Sequence, residues 1–275
     1  MTQITVPTSQ EIEEFTRSTF DSSENISFST SRADRIYDAL RTISEQDLFR
    51  SFFGHILDFY EVTASHCARG GMIATDLFLE DFAMTEIEVP KEVLNPLETM
   101  LAAGFLHDFG KINLSLALVS RTDGYSAQER ALMRTHTQLT YVALERLDRI
   151  YPLARNIAAH HHDNGGNGYA THQKRAHTPP KTDLIRRRSP EVVDPWVIRG
   201  RQILELADKL DASASKRPYR KTPLTNAEVV SYIQGKFTDE VDLVDYVVRT
   251  YLSGDERTLA EAPQQDGTGQ LKLKF

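Results

Sequence analysis

The 275-residue chain has a single cysteine, Cys67, so no intramolecular disulfide can form. Long apolar runs are missing too: none approaches the ~20 residues that a membrane helix needs. The first residues, MTQITVPTSQEIEEF, show no basic leader ahead of an apolar stretch, so a secretory signal peptide is not expected. Together these absences predict a soluble, cytoplasmic protein with no membrane association. There is no basic excess either. A formal net charge of −7 argues against general nucleic-acid binding, while allowing a small anionic substrate wherever basic side chains are concentrated locally. Strand signals are scarce, and neither an internal repeat nor a low-complexity block is found.

What is present is ordinary globular composition, 40% apolar and 26% charged, in a chain long enough to bury a substantial core. Helix signals dominate. Thr8 with Glu11, Ser126 with Glu129 and Thr225 with Glu228 have capping-box spacing. Asn95 followed by Pro96, with Glu98 three residues after Asn95, marks another helix start. That helix runs LETMLAAGFLHDF and ends near His107 and Asp108. From about Ala127 to Ile150 the stripe Leu132, His136, Leu139, Ala143, Leu147 and Ile150 predicts one long helix with His136 facing the core. A third helix, about Leu153 to His162, ends in three histidines before the glycines of NGGNGY. VIRGRQILELADKLDASAS reads as a helix with Ile198, Ile203, Leu204, Ala207 and Leu210 on its apolar side and Asp208 close to that stripe. Two more helices are expected at about 226–235 and 239–252. Residues 170–195, rich in proline, lysine and arginine, form a long irregular basic loop. It reads either as a solvated loop or as a lid that attracts a phosphate-bearing ligand. The tail from Pro263 onward reads as loose.

The polar residues set into these apolar patterns carry the functional signal. Adjacent His107 and Asp108 sit inside GFLHDFGKIN, and burying such a pair calls for a partner, most simply a divalent metal. His66, His136, His160, His161 and Asp208 are placed likewise, making seven nitrogen or oxygen ligands, enough for two metals. Cys67 reads as a buried thiol and not a ligand, because consecutive helical residues point about 100° apart. His55, His172 and His177 read as surface or loop histidines, and His162 as a residue that supports the ligands, with direct ligation as the alternative.

In order along the chain stand His66-x-x-Arg69, His107-Asp108-Phe-Gly110-Lys111, His136, His160-His161, Gly166-Asn-Gly168-Tyr169, Ala207-Asp208 and Arg217-Pro218-Tyr219-Arg220. This series resembles the HD-GYP domain, a branch of the HD metal-dependent phosphohydrolases, over roughly Ser31 to Leu252. The resemblance implies an all-α fold, an HD-type helical bundle, with residues 1–30 as an N-terminal extension, 31–262 as the domain and 263–275 as a tail. It also implies a cyclic di-GMP phosphodiesterase that yields a linear dinucleotide, GMP or both. By the same resemblance the metal ligands are His66, His107, Asp108, His136, His160, His161 and Asp208, with Asp108 bridging two ions. Lys111, Gly168, Tyr169, Arg217 and Arg220 stand where family members meet substrate. Family members with a third metal carry a glutamate four residues before the first histidine. Val62 is in that place here, so two ions are expected.

The chain departs from the family's HHExxDGxGYP, reading HHHDNGGNGYA. His162, Gly165 and Ala170 replace Glu, Asp and Pro, which bears on substrate choice and on docking of a regulatory partner through the GYA loop. The chemistry is consistent with the resemblance, since two ions would supply a bridging hydroxide and neutralise phosphoryl charge. A shell of imidazole and carboxylate without thiolate suits Fe or Mn. Asp108 and Lys111 are the expected catalytic pair. Two alternatives stay open: a phosphohydrolase acting on another nucleotide, and a catalytically weak module that binds a nucleotide or a signalling partner.

Overall fold

The computed structural model describes residues 5–23, 26, 28, 30–85, 87–162, 194–215 and 224–252. Among them the chain is all-α, with no strand. The elements are α1 (Ser9–Asp21), α2 (Ala33–Ser44), α3 (Asp47–Phe59), α4 (Glu61–Met84) and α5 (Pro96–Leu106), then a 3₁₀ turn (Phe109–Asn113). They continue with α6 (Leu116–Val119), α7 (Ala127–Arg134), α8 (His136–Ala143), a second 3₁₀ turn (Glu145–Arg149), α9 (Ala154–Ala159) and α10 (Pro195–Ala214). α11 (Asn226–Lys236), α12 (Val241–Val247) and a π turn (Val248–Leu252) follow. No described helix is long and apolar enough to cross a membrane.

The central element is α4, which packs most extensively on α5 and then on α10. It is buried on nearly every side, as its sparse polar content requires, and its three buried charges are each paired across the bundle. Arg69 meets Asp211 on α10. Asp76 accepts hydrogen bonds from Tyr246 and Tyr251, each at 2.6 Å. Asp81 accepts from Arg199 of α10 at 2.6 Å. The packing of α4 on α5 depends on two glycines. A Cβ on Gly104 would lie 2.4 Å from the Cα of Gly71, so the backbones touch where any side chain would hold them apart. That close approach brings His66 of α4 beside His107 at the end of α5. Pro7 lies against Gly54, and Ile12 and Phe20 of α1 belong to the same core as α4 and α5.

All three capping boxes form as expected, at Thr8, Ser126 and Thr225. α5 starts after Asn95 with proline in its first turn, although the Asn95 side chain makes no cap bond. The single helix expected over 127–150 is instead α7, α8 and a 3₁₀ turn. Three consecutive side chains at the break bond to carbonyls three residues back: Thr135 to Leu132 at 2.7 Å, His136 to Met133 at 2.8 Å and Thr137 to Arg134 at 3.2 Å. These bonds compete with the helical ladder. α7 buries nothing, so Leu132 is exposed, whereas His136 begins α8 and is buried. Ile198 likewise falls outside the buried stripe of α10. α9 is shorter than the expected 153–162: Leu153 takes left-handed backbone (φ 71°) before it, and His160 to His162 follow it.

Candidate metal centre

Five elements carry the expected ligands to one place. His66 comes from α4, His107 and Asp108 from the end of α5, His136 from the first turn of α8, His161 from the turn after α9 and Asp208 from α10. All six are buried. Gly110 explains how α8 reaches the others. A Cβ there would stand 2.0 Å from the carbonyl oxygen of His136, so only glycine lets α8 pass against the 3₁₀ turn. Thr140 of α8 completes the join, accepting from the Gly110 N–H at 2.8 Å and donating to the His107 carbonyl at 3.1 Å.

The imidazoles are oriented from behind. Because a carbonyl only accepts, Nδ1 must donate in His107 (to Gly104, 2.7 Å), His136 (to Met133, 2.8 Å) and His161 (to Ala158, 2.6 Å). In His66 the Nδ1 faces the Asp211 carboxylate at 2.6 Å. Each Nε2 is thereby left as a lone-pair donor turned toward the others. The Nε2 atoms of His66 and His107 are 3.3 Å apart, and His66 Nε2 is 3.0 Å from Asp208 Oδ1. Acceptors facing acceptors at this range repel unless a cation lies among them. His161 Nε2 is also buried without a hydrogen-bond partner.

The ligand atoms fall into overlapping groups, each spanning no more than 4.8 Å: His66, His107 and Asp208; His136, His161 and His162; Cys67, His107 and Asp108. Asp108 joins the first two. Its Oδ2 is 3.5 Å from His107 Nε2 and 3.7 Å from His66 Nε2, while its Oδ1 is 3.1 Å from His136 Nε2. Burial alone would raise the Asp108 carboxyl; the charge of Lys111 leads the opposing effects, and the carboxyl is held well below the usual carboxylate range. Asp208 is held down similarly, with Lys209 and His66 outweighing burial. Both are therefore ionised and suited to a metal. Cys67 is buried, and burial together with Asp108 pushes its thiol well up, which favours the protonated form that does not ligate.

Lys111 lies on the 3₁₀ turn, whose three-residue repeat sets it over Asp108, and its ammonium contacts Asp108 Oδ2. His160 is buried but stands in none of the three groups among the described residues, and its ring meets Tyr141 edge-on at 5.8 Å. Gly168, Tyr169, Arg217, Arg220, the GYA loop and the basic stretch 170–193 lie outside the described residues. Three participants were given no role in the sequence: Asp211, Lys209 and Arg69, the last quoted only within its motif. Asp211 holds His66, and Arg69 holds Asp211. Both carry a faint signal, each lying three residues beyond a ligand on the same helix and so on the same face. Lys209, whose ammonium is 2.6 Å from Asp208 Oδ2, carried none.

The buried imidazoles make the metal-free protein acid-sensitive. Burial, assisted by His66 and opposed by Asp108, pushes His107 from its ordinary 6.5 down to about 4. His161 and His162 are lowered as well, chiefly by burial. Between pH 6.5 and 4 the unfolded chain therefore takes up protons that the folded one refuses, and stability falls as pH drops through that window. Urea midpoints of chelator-treated protein are expected to decline steadily from pH 6.5 to 4; a flat profile would contradict burial of neutral imidazoles.

A family model described as HD domain matches residues 55–213, more than half of the chain. The chain belongs to the HD domain family. Its HD domain contains every described ligand together with Asp211. Two curated relatives are from Vibrio cholerae. The 3'3'-cGAMP-specific phosphodiesterase 3 is 27% identical over 169 residues, covering 61% of this chain and 31% of that protein. The 3'3'-cGAMP-specific phosphodiesterase 2 is 30% identical over 126 residues, covering 45% of this chain and 20% of that protein. The chain thus spans under a third of either relative's length. No solved structure matches significantly. The donor set of the HD domain, clustered imidazole and carboxylate around a buried orphan nitrogen, fits divalent metal.

Proposed function

We propose that the protein is a metal-dependent phosphodiesterase that opens a cyclic dinucleotide, holding two divalent ions at the centre described above. The observation that carries this reading is the placement of Asp108, whose two oxygens turn toward different sets of histidines. Ions held there would neutralise phosphoryl charge and supply water that loses its proton near neutral pH. Fe or Mn suits the nitrogen and oxygen donors.

The chain's own residues do the rest. His66, His107 and Asp208 form one face of the site, His136 and His161 the other, and Asp108 is the ligand common to both. Lys111, 18% exposed at its side chain, neutralises Asp108 and is placed to meet an incoming anion. Gly168, Tyr169, Arg217 and Arg220 are assigned to substrate binding, and the GYA loop to a regulatory partner, on the resemblance to HD-GYP domains alone. A cytoplasmic location belongs to the same reading and rests on the single buried free thiol.

Two substrates follow from two sources. The resemblance in motif order points to cyclic di-GMP, hydrolysed to pGpG, GMP or both, whereas the relatives' names point to 3'3'-cGAMP. Both present the same phosphodiester to the ions and differ in one base. The test is turnover of each dinucleotide by protein loaded anaerobically with Fe(II) or Mn(II), beside a His107→Ala, Asp108→Ala double variant. Cleavage of at least one, lost in the double variant, is the expected result. Metal-replete protein that binds but never cleaves either would support a binding module instead.

A further inference from the structure

The resemblance assigns the pair His160 and His161 to the metals, yet three histidines are consecutive and only tertiary structure decides which two face the centre. We propose that the pair is His161 and His162, with His162 as a ligand of the ion held by His136 and His161. This rests on the two-ion reading and changes one of its residues.

The geometry selects His162 at several points. Its ring lies 3.9 Å from that of His161 and 5.6 Å from that of His136. A ligand atom from each of His136, His161 and His162 falls within one 4.8 Å span. Within this group His161 Nε2 is buried with no hydrogen-bond partner, as a nitrogen awaiting a cation would be. The Lys209 ammonium is 3.3 Å from His162 Nδ1 and 2.6 Å from Asp208 Oδ2. His160 joins none of the three groups among the described residues, and its ring meets that of Tyr141.

The local cause is where α9 stops. His160 caps the helix, its N–H bonding to the Ile157 carbonyl, so its side chain still follows the helical path along Asn156. His161 and His162 come after the cap, in the turn, where the chain is free of the 100° helical step that would splay neighbouring rings.

Metal content separates the two registers. His160→Gln and His162→Gln proteins, checked for wild-type melting, would be equilibrated with Mn(II), desalted and analysed for ions per chain, with the spin-coupled Mn(II) signal recorded in parallel. The expected result is two ions for wild type and His160→Gln, and one ion without spin coupling for His162→Gln. Loss of an ion from His160→Gln, or two ions retained by His162→Gln, would overturn the assignment. Wild type holding a single ion would remove the two-ion reading and this inference with it. A measurement without substitution guards against misfolding: in wild type, Mn(II) should slow diethyl pyrocarbonate modification of His162 at least ~10-fold. An unchanged rate there would also overturn the proposal.

Discussion

Replacing Asp108 with asparagine is expected to remove most turnover while leaving the metal-free protein nearly as stable as before. Its carboxylate lies within 4 Å of His66, His107 and His136, so on the proposed two-ion reading it is the ligand common to both sets. An amide of the same volume keeps the packing and loses the charge. Groups that only orient a ligand are worth 10–100-fold in metal affinity or activity, so a shared ligand should be worth ~10³-fold or more. Stability responds differently because two effects oppose each other. The substitution relieves the cost of burying an ionised carboxylate, and the Lys111 ammonium it leaves behind can rehydrate at its exposed edge. A net change within about 1 kcal/mol is expected. Ions per chain, turnover and urea unfolding of the chelated protein check this together; full metal content with full turnover would sink the bridging assignment.

Asp211 should behave in the opposite way, although it lies only three residues beyond Asp208. It accepts from His66 Nδ1 at 2.6 Å and from Arg69 through both oxygens, and its side chain is wholly buried. Burial opposes its ionisation, but Arg69 and His66 outweigh that and hold it low. Asp211→Ala leaves the Arg69 guanidinium, itself 10% exposed, without its countercharge in the interior. Breaking such a pair costs about 3–5 kcal/mol. The same change frees the His66 ring to turn and to place its proton on either nitrogen, which should weaken metal binding 10–100-fold. Both losses should appear in one variant: a lowered urea midpoint without metal, and a weaker ion when titrated. An Arg69→Met, Asp211→Leu pair removes both charges at once. It should recover stability but not metal affinity, because His66 still lacks its partner. Recovery of both would mean that Asp211 acts only through the fold.

The contrast between these aspartates shows how far the sequence could be read. Asp108 was legible because a charged doublet inside GFLHDFGKIN has no bland explanation, and the three capping boxes were legible because they are local geometry. His136 was placed correctly on the core side, but for an incomplete reason. The helical stripe through it breaks where Thr135, His136 and Thr137 bond backward to the chain, and spacing alone does not weigh those bonds against the ladder. Lys111 was paired with Asp108 and lies against it, on a 3₁₀ turn that spacing alone does not distinguish from a continuing helix.

By itself the sequence determined that the chain is helical, which polar residues are embedded in apolar patterns and, through their types, that a divalent metal is their natural partner. Composition and periodicity carry such information because each helix reports its own buried face. Which helices meet, and which rings converge, was decided only in three dimensions. The touching backbones at Gly71 and Gly104 bring His66 to His107, and the bare Cα of Gly110 admits α8 and with it His136. The end of α9 sets His161 and His162 beside His136. These are contacts between residues far apart in the chain, or rotations within a single turn, and neither leaves a periodic trace in the order of amino acids.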